Sequence, residues 1–457
     1  MAAPKVLKTV DLVIRHGHVV TANHDMLEFS DGAVAVDGGR IVALGPTDAL
    51  DLSWRGRVTI DARGGIVRPG SIDAHIHVSQ YTARSVLPRM GNGPINMGHW
   101  KAELRPEDEH ASAALAAIDY LCSGFTGFVD PGTIFEPDAV APVAEETGIR
   151  IWLTDPYVAD QGRKLGEKNP ELVAPPFLAR WPATTDDAAR RVGSQLWRNR
   201  ARTGLVHAFV GIYGESTSSD DLRRHAVDVA RRDRVQFQQH LGYTPAAYRD
   251  DAAQLGRTPL AEFERLHGLG EDITLLHMNE VSSDDEALIL ARRPALVWCP
   301  YGTLQAIGAG GRRNRMGALS QSGGRVALGT DIPRAINFET LGGLAVGVGA
   351  ATSSPLAPRQ ILAMMTSNAA ASVGADRETG SLEIGKSADV VVHHPPELSV
   401  DPVWEAIVLG GRRTVDKVFV AGRKVIDDGR SMLADTEVIL EAARASVRAI
   451  VGRTGLS

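Results

Sequence analysis

Cysteine is nearly absent from this 457-residue chain, which carries only Cys122 and Cys299, far apart and in no CxxC pattern. That scarcity excludes a disulfide framework and a thiolate metal site, and fits two buried thiols in a reducing compartment. Long hydrophobic runs are missing as well: no stretch of about 18 uninterrupted apolar residues is found. The segment 1–10 has lysines but no apolar core of a signal peptide. A cytoplasmic protein, neither secreted nor inserted in a membrane, is expected. Clustered positive charge is the third lack. With a formal net charge of -6 and no basic cluster, the chain has no electrostatic footprint for nucleic acid. The expected partners are a small-molecule substrate and further copies of the same chain in a homo-oligomer. The short run Arg312-Arg313-Asn314-Arg315 in a glycine-rich loop reads as a solvated turn, with a substrate-facing role as the alternative.

What is present is an ordinary globular composition, 44% hydrophobic and 23% charged, long enough for more than one domain. Short β-prone segments at 11–15, 32–36, 40–44 and 57–61 are separated by Gly, Asp and Pro turn signals. The pattern returns at 387–392 and 417–426, where Ala421-Gly422 reads as a turn between apolar strands. Residues 1–67 and 376–457 are therefore expected to build one discontinuous β-sandwich. Between them, in 68–375, apolar strands at 72–78, 127–130, 150–153, 206–211, 235–240, 273–277, 296–299 and 325–328 alternate with helical stretches such as 106–121, 219–232 and 283–292. Strand–helix alternation implies parallel pairing, and eight such units predict an α/β fold, a closed (β/α)8 TIM-like barrel. An amphipathic helix at 436–451 is expected to pack on the sandwich or on a partner subunit.

The run Ser71-Ile72-Asp73-Ala74-His75-Ile76-His77 sets two imidazoles two residues apart in an extended segment, where alternate side chains share a face and reach one metal ion. His240, His277 and Asp331 each close an apolar strand. Catalytic groups gather at that end of barrel strands. Neutral imidazole suits zinc and first-row metals generally. A buried structural histidine is the plain alternative for His240, and a solvated turn for Asp331.

The stretch 65–77, followed in order by 236–240, Leu275-Leu276-His277 and Ala327-Leu328-Gly329-Thr330-Asp331, resembles the amidohydrolase superfamily, whose members hydrolyse C–N, C–Cl and related bonds at a metal centre. The stretch 380–389 looks like that family's return into its sandwich. The resemblance implies one divalent metal ion per subunit, zinc first, with cobalt, iron and manganese as alternatives, held by His75, His77, His240 and Asp331. It makes Asp331 the group that takes the water's proton, and His277 the group that stabilises the oxyanion or orients the water. Gln80 resembles a substrate-contacting glutamine of the triazine-hydrolysing branch, and is otherwise a neutral residue of the barrel mouth. Tyr243 and Asn279 are candidate substrate contacts, with packing as the alternative.

Two departures from the family narrow the activity. No lysine closes the fourth strand in 206–215, so a bridging carboxylated lysine has no candidate and one metal is favoured. His240 is followed by Leu241-Gly242-Tyr243-Thr244-Pro245, without the glutamate that deaminases and chlorohydrolases place there. The sequence therefore looks more like the phenylurea and thiocarbamate hydrolases, and hydrolysis of the C–N or C–S bond of a small urea, carbamate, thiocarbamate or amide is the leading expectation. The alternatives are an aminohydrolase or dechlorinase of an N-heterocycle such as an s-triazine, and a non-catalytic assembly protein, against which the retained ligands argue. Among other residues, His16, His18, His24, His393 and His394 read as surface groups. His99 and His110 flank the first barrel loop. Tyr157, Tyr213 and Trp298 are candidates for an aromatic wall, with core packing the plainer reading of Trp298.

Overall fold

A computed structural model describes residues 7–456 apart from 88–95, 169–172, 202–203, 309–313, 333–340, 396, 398–399, 402, 404–405 and 407–413. Arg312 and Arg313 of the arginine run lie outside the described residues.

Eight strands form the barrel: β1 (Ser71–Asp73), β2 (Phe125–Val129), β3 (Arg150–Leu153), β4 (Val206–Ala208 with Val210–Gly214), β5 (Phe237–Leu241), β6 (Ile273–His277), β7 (Ala295–Trp298) and β8 (Arg325–Leu328). Neighbours pair in parallel, as one ladder from β1 into β4 and a second from β4 to β8. The ends meet where the Ala74 N–H donates to Leu328 at 3.0 Å and the Asp331 N–H to His75 at 2.8 Å. These strands are buried on both faces, as parallel strands under covering helices must be. Ile72, Val129, Trp152, Leu276, Val297 and Ala327 fill one cluster, while their neighbours Leu275, Leu296, Val326 and Leu328 join the cluster shared with the helices. The two clusters are the period-2 alternation of a strand read on its two sides.

The terminal strands form one nine-stranded sheet rather than two separate ladders. Lys8–Val20 is long enough to pair in parallel first with Trp54–Asp61 and then with Ile66–Pro69. Val390–His393, from the far end of the chain, pairs antiparallel with Ile66–Pro69. The hairpin Val415–Val420/Arg423–Asp427 turns at Ala421 (φ 48°) and Gly422 (φ 75°), the two positive φ values a tight hairpin turn demands. Gly70 joins this sheet to β1 where any side chain would run into Thr126.

The C-terminal helix Thr436–Thr454 corrects the expectation for 436–451, since it docks on the barrel. Ser446 donates to Asp108 of the helix Pro106–Cys122 at 2.6 Å, Arg453 pairs with the same carboxylate, and Arg453 also donates to the Glu103 carbonyl at 3.0 Å. No helix among the described residues is long and apolar enough to cross a membrane. Both cysteines are buried and neither forms a disulfide.

Candidate metal centre

The strand β1 stops at Asp73, so the two histidines of the HxH lie beyond it, and His77 is the N-cap of a short 3₁₀ helix, Val78–Ser85. The alternation survives past the strand because the Ile76 N–H donates to Val129 at 2.9 Å and Ile76 bridges in parallel to Asp331. Asp73 clamps this turn. Its buried carboxylate accepts from the His75 N–H (3.0 Å), the Thr330 N–H (3.1 Å), the Thr330 hydroxyl (2.6 Å) and the Tyr120 hydroxyl (2.6 Å), which ties the end of β1 to the end of β8.

The result is a tight cluster. Nε2 of His75 and His77 lie 3.5 and 3.3 Å from Oδ1 of Asp331, all three residues being buried. The His75 ring centroid is 5.2 Å from that of His77, 5.1 Å from that of His240 and 5.1 Å from that of His277. Two overlapping sets, His75–His240–His277 and His75–His77–Asp331, bring their donor atoms within 4.8 Å of one another. His277 is thus as close to the cluster as the expected ligands are.

The donor set fits a divalent first-row metal. Both ring nitrogens of His75 and Nε2 of His77 are buried without a hydrogen bond among the described residues, a costly arrangement unless an ion satisfies them. His240 donates from Nδ1 to the Tyr213 carbonyl at 2.9 Å, which leaves the Nε2 lone pair for the cluster. Burial holds the imidazoles of His77 and His240 well below their usual pKa, so both are neutral, as ligands must be. Burial alone would raise Asp331. The imidazole of His75 close beside it and those of His277 and His77 instead keep it well below the carboxylate range. Two site residues sit in left-handed backbone, His277 at φ 75° and Asp331 at φ 67°, strain of the kind that persists where surrounding structure imposes it.

The other predicted contacts separate. Gln80 is fully buried and its amide nitrogen lies 3.3 Å from Nδ1 of His77, so it packs against a candidate ligand. Tyr243 stands over His277, ring centroids 4.9 Å apart, and its N–H donates to Glu215 at 2.7 Å. Asn279 uses both ends of its amide inside the protein, donating to the Tyr243 carbonyl (3.1 Å) and accepting from Thr303 (2.9 Å). Tyr213 stacks on His240 at 4.8 Å and continues through Trp181 and Tyr157, whereas Trp298 is fully buried and donates to Thr303.

Away from the centre, His16 and His18 pair with Asp31 and Glu28 at the surface. His393 corrects its surface reading: it is fully buried and accepts from Nε of Arg68 at 2.9 Å. His99 closes the capping box of Met97–Ala102, and His110 faces Glu146 at 3.1 Å. Sequence reasoning missed Asp73, Thr330 and the Tyr213 carbonyl as supports. The first two stood inside the motifs that pointed to the metal, while a backbone carbonyl has no sequence signal.

A (β/α)8 barrel with four imidazoles and a carboxylate at its C-terminal mouth defines a metal-site barrel. The profile of the Amidohydrolase family matches residues 66–425, and the chain belongs to that family. A short match at 32–51 is to an imidazolonepropionase-like composite domain of bacteria. Over 97% of its length the chain is 24% identical to the 5'-deoxyadenosine deaminase of Methanosarcina acetivorans, covering 99% of it. It is 27% identical to the 5-methylthioadenosine/S-adenosylhomocysteine deaminase of Desulforudis audaxviator, covering 96% of this chain and 99% of that protein. A zinc-bound adenosine deaminase from Xanthomonas campestris shares the fold with a TM-score of 0.83 at 23% identity, over 97% of this chain and 99% of the other. The zinc complex of atrazine chlorohydrolase from Arthrobacter aurescens shares it with a TM-score of 0.78 at 21% identity, over 95% and 100%.

Proposed function

We propose that this protein is a mononuclear metal-dependent hydrolase that replaces an exocyclic group, an amine first, on a ring carbon of an N-heterocycle with hydroxyl from water. The observation that carries the reading is the buried cluster of His75, His77, His240, His277 and Asp331 at the barrel mouth. The names of the full-length relatives, deaminases of adenine nucleosides, support the ring substrate and reverse the order of the two activities expected from sequence.

His75, His77, His240 and Asp331 would hold the ion, zinc being the metal in two structural relatives, and a bound ion would supply acidification of a water, whose pKa it would lower from about 15.7 toward 7, and polarisation of the attacked carbon. Asp331 is ionised and accepts the proton of the attacking water. His277, held at the cluster by its left-handed turn, supplies a hydrogen bond to the developing charge. The stacked Tyr213 and the ring of Tyr243 flank the imidazoles and give a planar substrate aromatic faces to lie on. The proton taken up at Asp331 then passes to the departing amine.

A second reading, hydrolysis of an acyclic urea, carbamate, thiocarbamate or amide, is favoured by one observation: 241–245 offers no carboxylic acid to protonate a ring nitrogen, and Tyr243 stands there instead. The deciding experiment assays zinc-reconstituted full-length protein on 5'-deoxyadenosine, 5-methylthioadenosine and aminotriazines beside phenylureas and thiocarbamates. Ammonia with an intact ring is expected. An amine or thiol with carbon dioxide, and no ammonia from any ring, would replace this proposal by the second reading.

A further inference from the structure

A second cavity, of about 570 Å³, lies on the outer side of β5, between the helix Asp220–Asp233 and the pair Pro245–Leu255 and Pro259–His267. It is separate from the metal centre, because Gln239, which lines it, alternates on the strand with His240. Three deeply buried side chains line it with polar atoms that have no hydrogen-bond partner among the described residues: the Gln239 amide nitrogen, the Ser218 hydroxyl and both ring nitrogens of His267. Gln239 is 1%, Ser218 6% and His267 7% exposed, so bulk water does not satisfy them. The other end of the Gln239 amide is fixed, accepting from Nε of Arg223 at 3.1 Å, which leaves its N–H donors for the cavity. Buried polar atoms left open together in one space call for an occupant.

We infer that this cavity is a second binding site, for a neutral heterocycle of the lactam or nucleoside type that offers carbonyl and hydroxyl acceptors. The open atoms supply more donors than acceptors: two from the Gln239 amide, one from Ser218 and one from the neutral ring of His267, against two acceptor lone pairs on Ser218 and one on His267. Burial holds the His267 imidazole down at about 4, so it carries no charge. Leu241, Tyr248, Phe263 and Leu266 provide apolar walls for a ring. Carboxylates on the lining, Glu167, Glu215, Asp220, Asp251 and Glu262, outnumber the cations Lys164 and Arg223, which disfavours an anionic ligand. Glu215 also accepts from the Tyr243 N–H at 2.7 Å, so an occupant touches the residue that positions the ring above His277.

The test is calorimetric titration of the metal-loaded full-length protein with inosine, and with inosine monophosphate as its anionic counterpart. Inosine is expected to bind, the monophosphate at least about tenfold more weakly, and His267→Phe and Ser218→Val each to weaken inosine about tenfold while metal content and melting temperature stay as in the wild type. Equal binding of the anion, unchanged affinity in both variants, or no binding at all, in which case the cavity holds water only, would overturn the assignment. A crystal structure placing inosine at the metal centre alone would do the same.

Discussion

The two ends of the barrel solve opposite problems with similar residues. At the base, where the strands begin, Arg40, Arg150, Arg231, Asp272 and Glu378 line a cavity of about 800 Å³, larger than the lateral one. Yet most of the charges there are matched: Arg150 forks onto Asp389 at 2.7 and 3.1 Å, Asp389 also accepts from Thr379 and the Ala421 N–H, Arg40 meets Glu378 at 3.0 Å and Arg231 meets Asp272 at 2.8 Å. At the mouth, imidazole nitrogens are buried and left open, and two cluster residues carry positive φ. Space alone therefore does not locate chemistry. The buried imidazoles left open together at the mouth do, which agrees with barrels keeping stability at the base and function at the mouth.

The largest effect that sharpens this contrast belongs to the mouth. His75→Ala or His77→Ala should remove most bound metal and lower turnover by more than about 10⁴, because the activated water is lost with the ion. Chelator-treated wild type and variant should melt alike. Full metal content in either variant would sink the ligand assignment. His277→Ala divides the cluster further: metal retained with a rate lowered by roughly 10² or more makes it the group acting on water or charge. Loss of the ion would place His277 among the ligands with His75 and His240.

At the base the expected change is in stability. Arg150→Leu leaves Asp389 buried and uncompensated, which should cost about 3–5 kcal/mol in urea unfolding. The fraction that stays folded should hold its full metal and its turnover per metal. Because replacing both partners of a buried pair is far milder than removing one, Arg150→Leu combined with Asp389→Leu should recover much of the loss. A variant that unfolds at the wild-type urea concentration but has lost its metal would erase the division between the two ends.

How much of this was legible follows from the range of the interactions. The strands at Arg150–Leu153, Ile273–His277 and Arg325–Leu328 carry their signal locally, in short apolar runs between turn residues, and their ends coincide with the sequence reading. The cluster residues were legible because chemistry and position coincided at strand ends. The break after Asp73 was not, since an extended run and a strand look alike until the partner at Asp331 is known. Asn279 and Gln80 looked like substrate contacts because their partners, Thr303 and the far side of His77, depend on side-chain direction in three dimensions. The base cavity had no signal at all. Its walls come from 38–40, 150–152, 231–236, 373–379 and 421, segments that only the sheet joining both chain ends brings together.

The smallest effect is a pH slope that also separates the two ends. On the mouth side, burial pushes the carboxyl of Glu109 up to about 7 and that of Asp155 up to about 6, although each accepts backbone N–H bonds, from Phe135 and Glu136 and from Gly193 and Gln195. At the base, burial would raise Asp389 too, but Arg150 holds it below its usual value. The signs are opposite. A raised carboxyl contributes stability that is complete below its unfolded pKa and is lost as pH rises through its folded value. For Glu109 the window therefore runs from 4.5 to about 7. Asp389 contributes stability that is present above 3.8 and lost only as pH falls further. Between pH 5 and 8 these mouth acids lose stability as pH rises, while the buried histidines, held below 6.5, act in the opposite sense up to that pH, so the comparison of variant with wild type isolates the acid. In Glu109→Gln, which cannot ionise, the drop across that window should shrink by about 2 kcal/mol, or about 2 °C for a chain of this length. The slope is the readout, because the amide loses one backbone acceptor and lowers stability at every pH. A variant whose profile runs parallel to the wild type from pH 5 to 8 would show that Glu109 is already ionised throughout, and that the mouth holds its carboxylates as the base does.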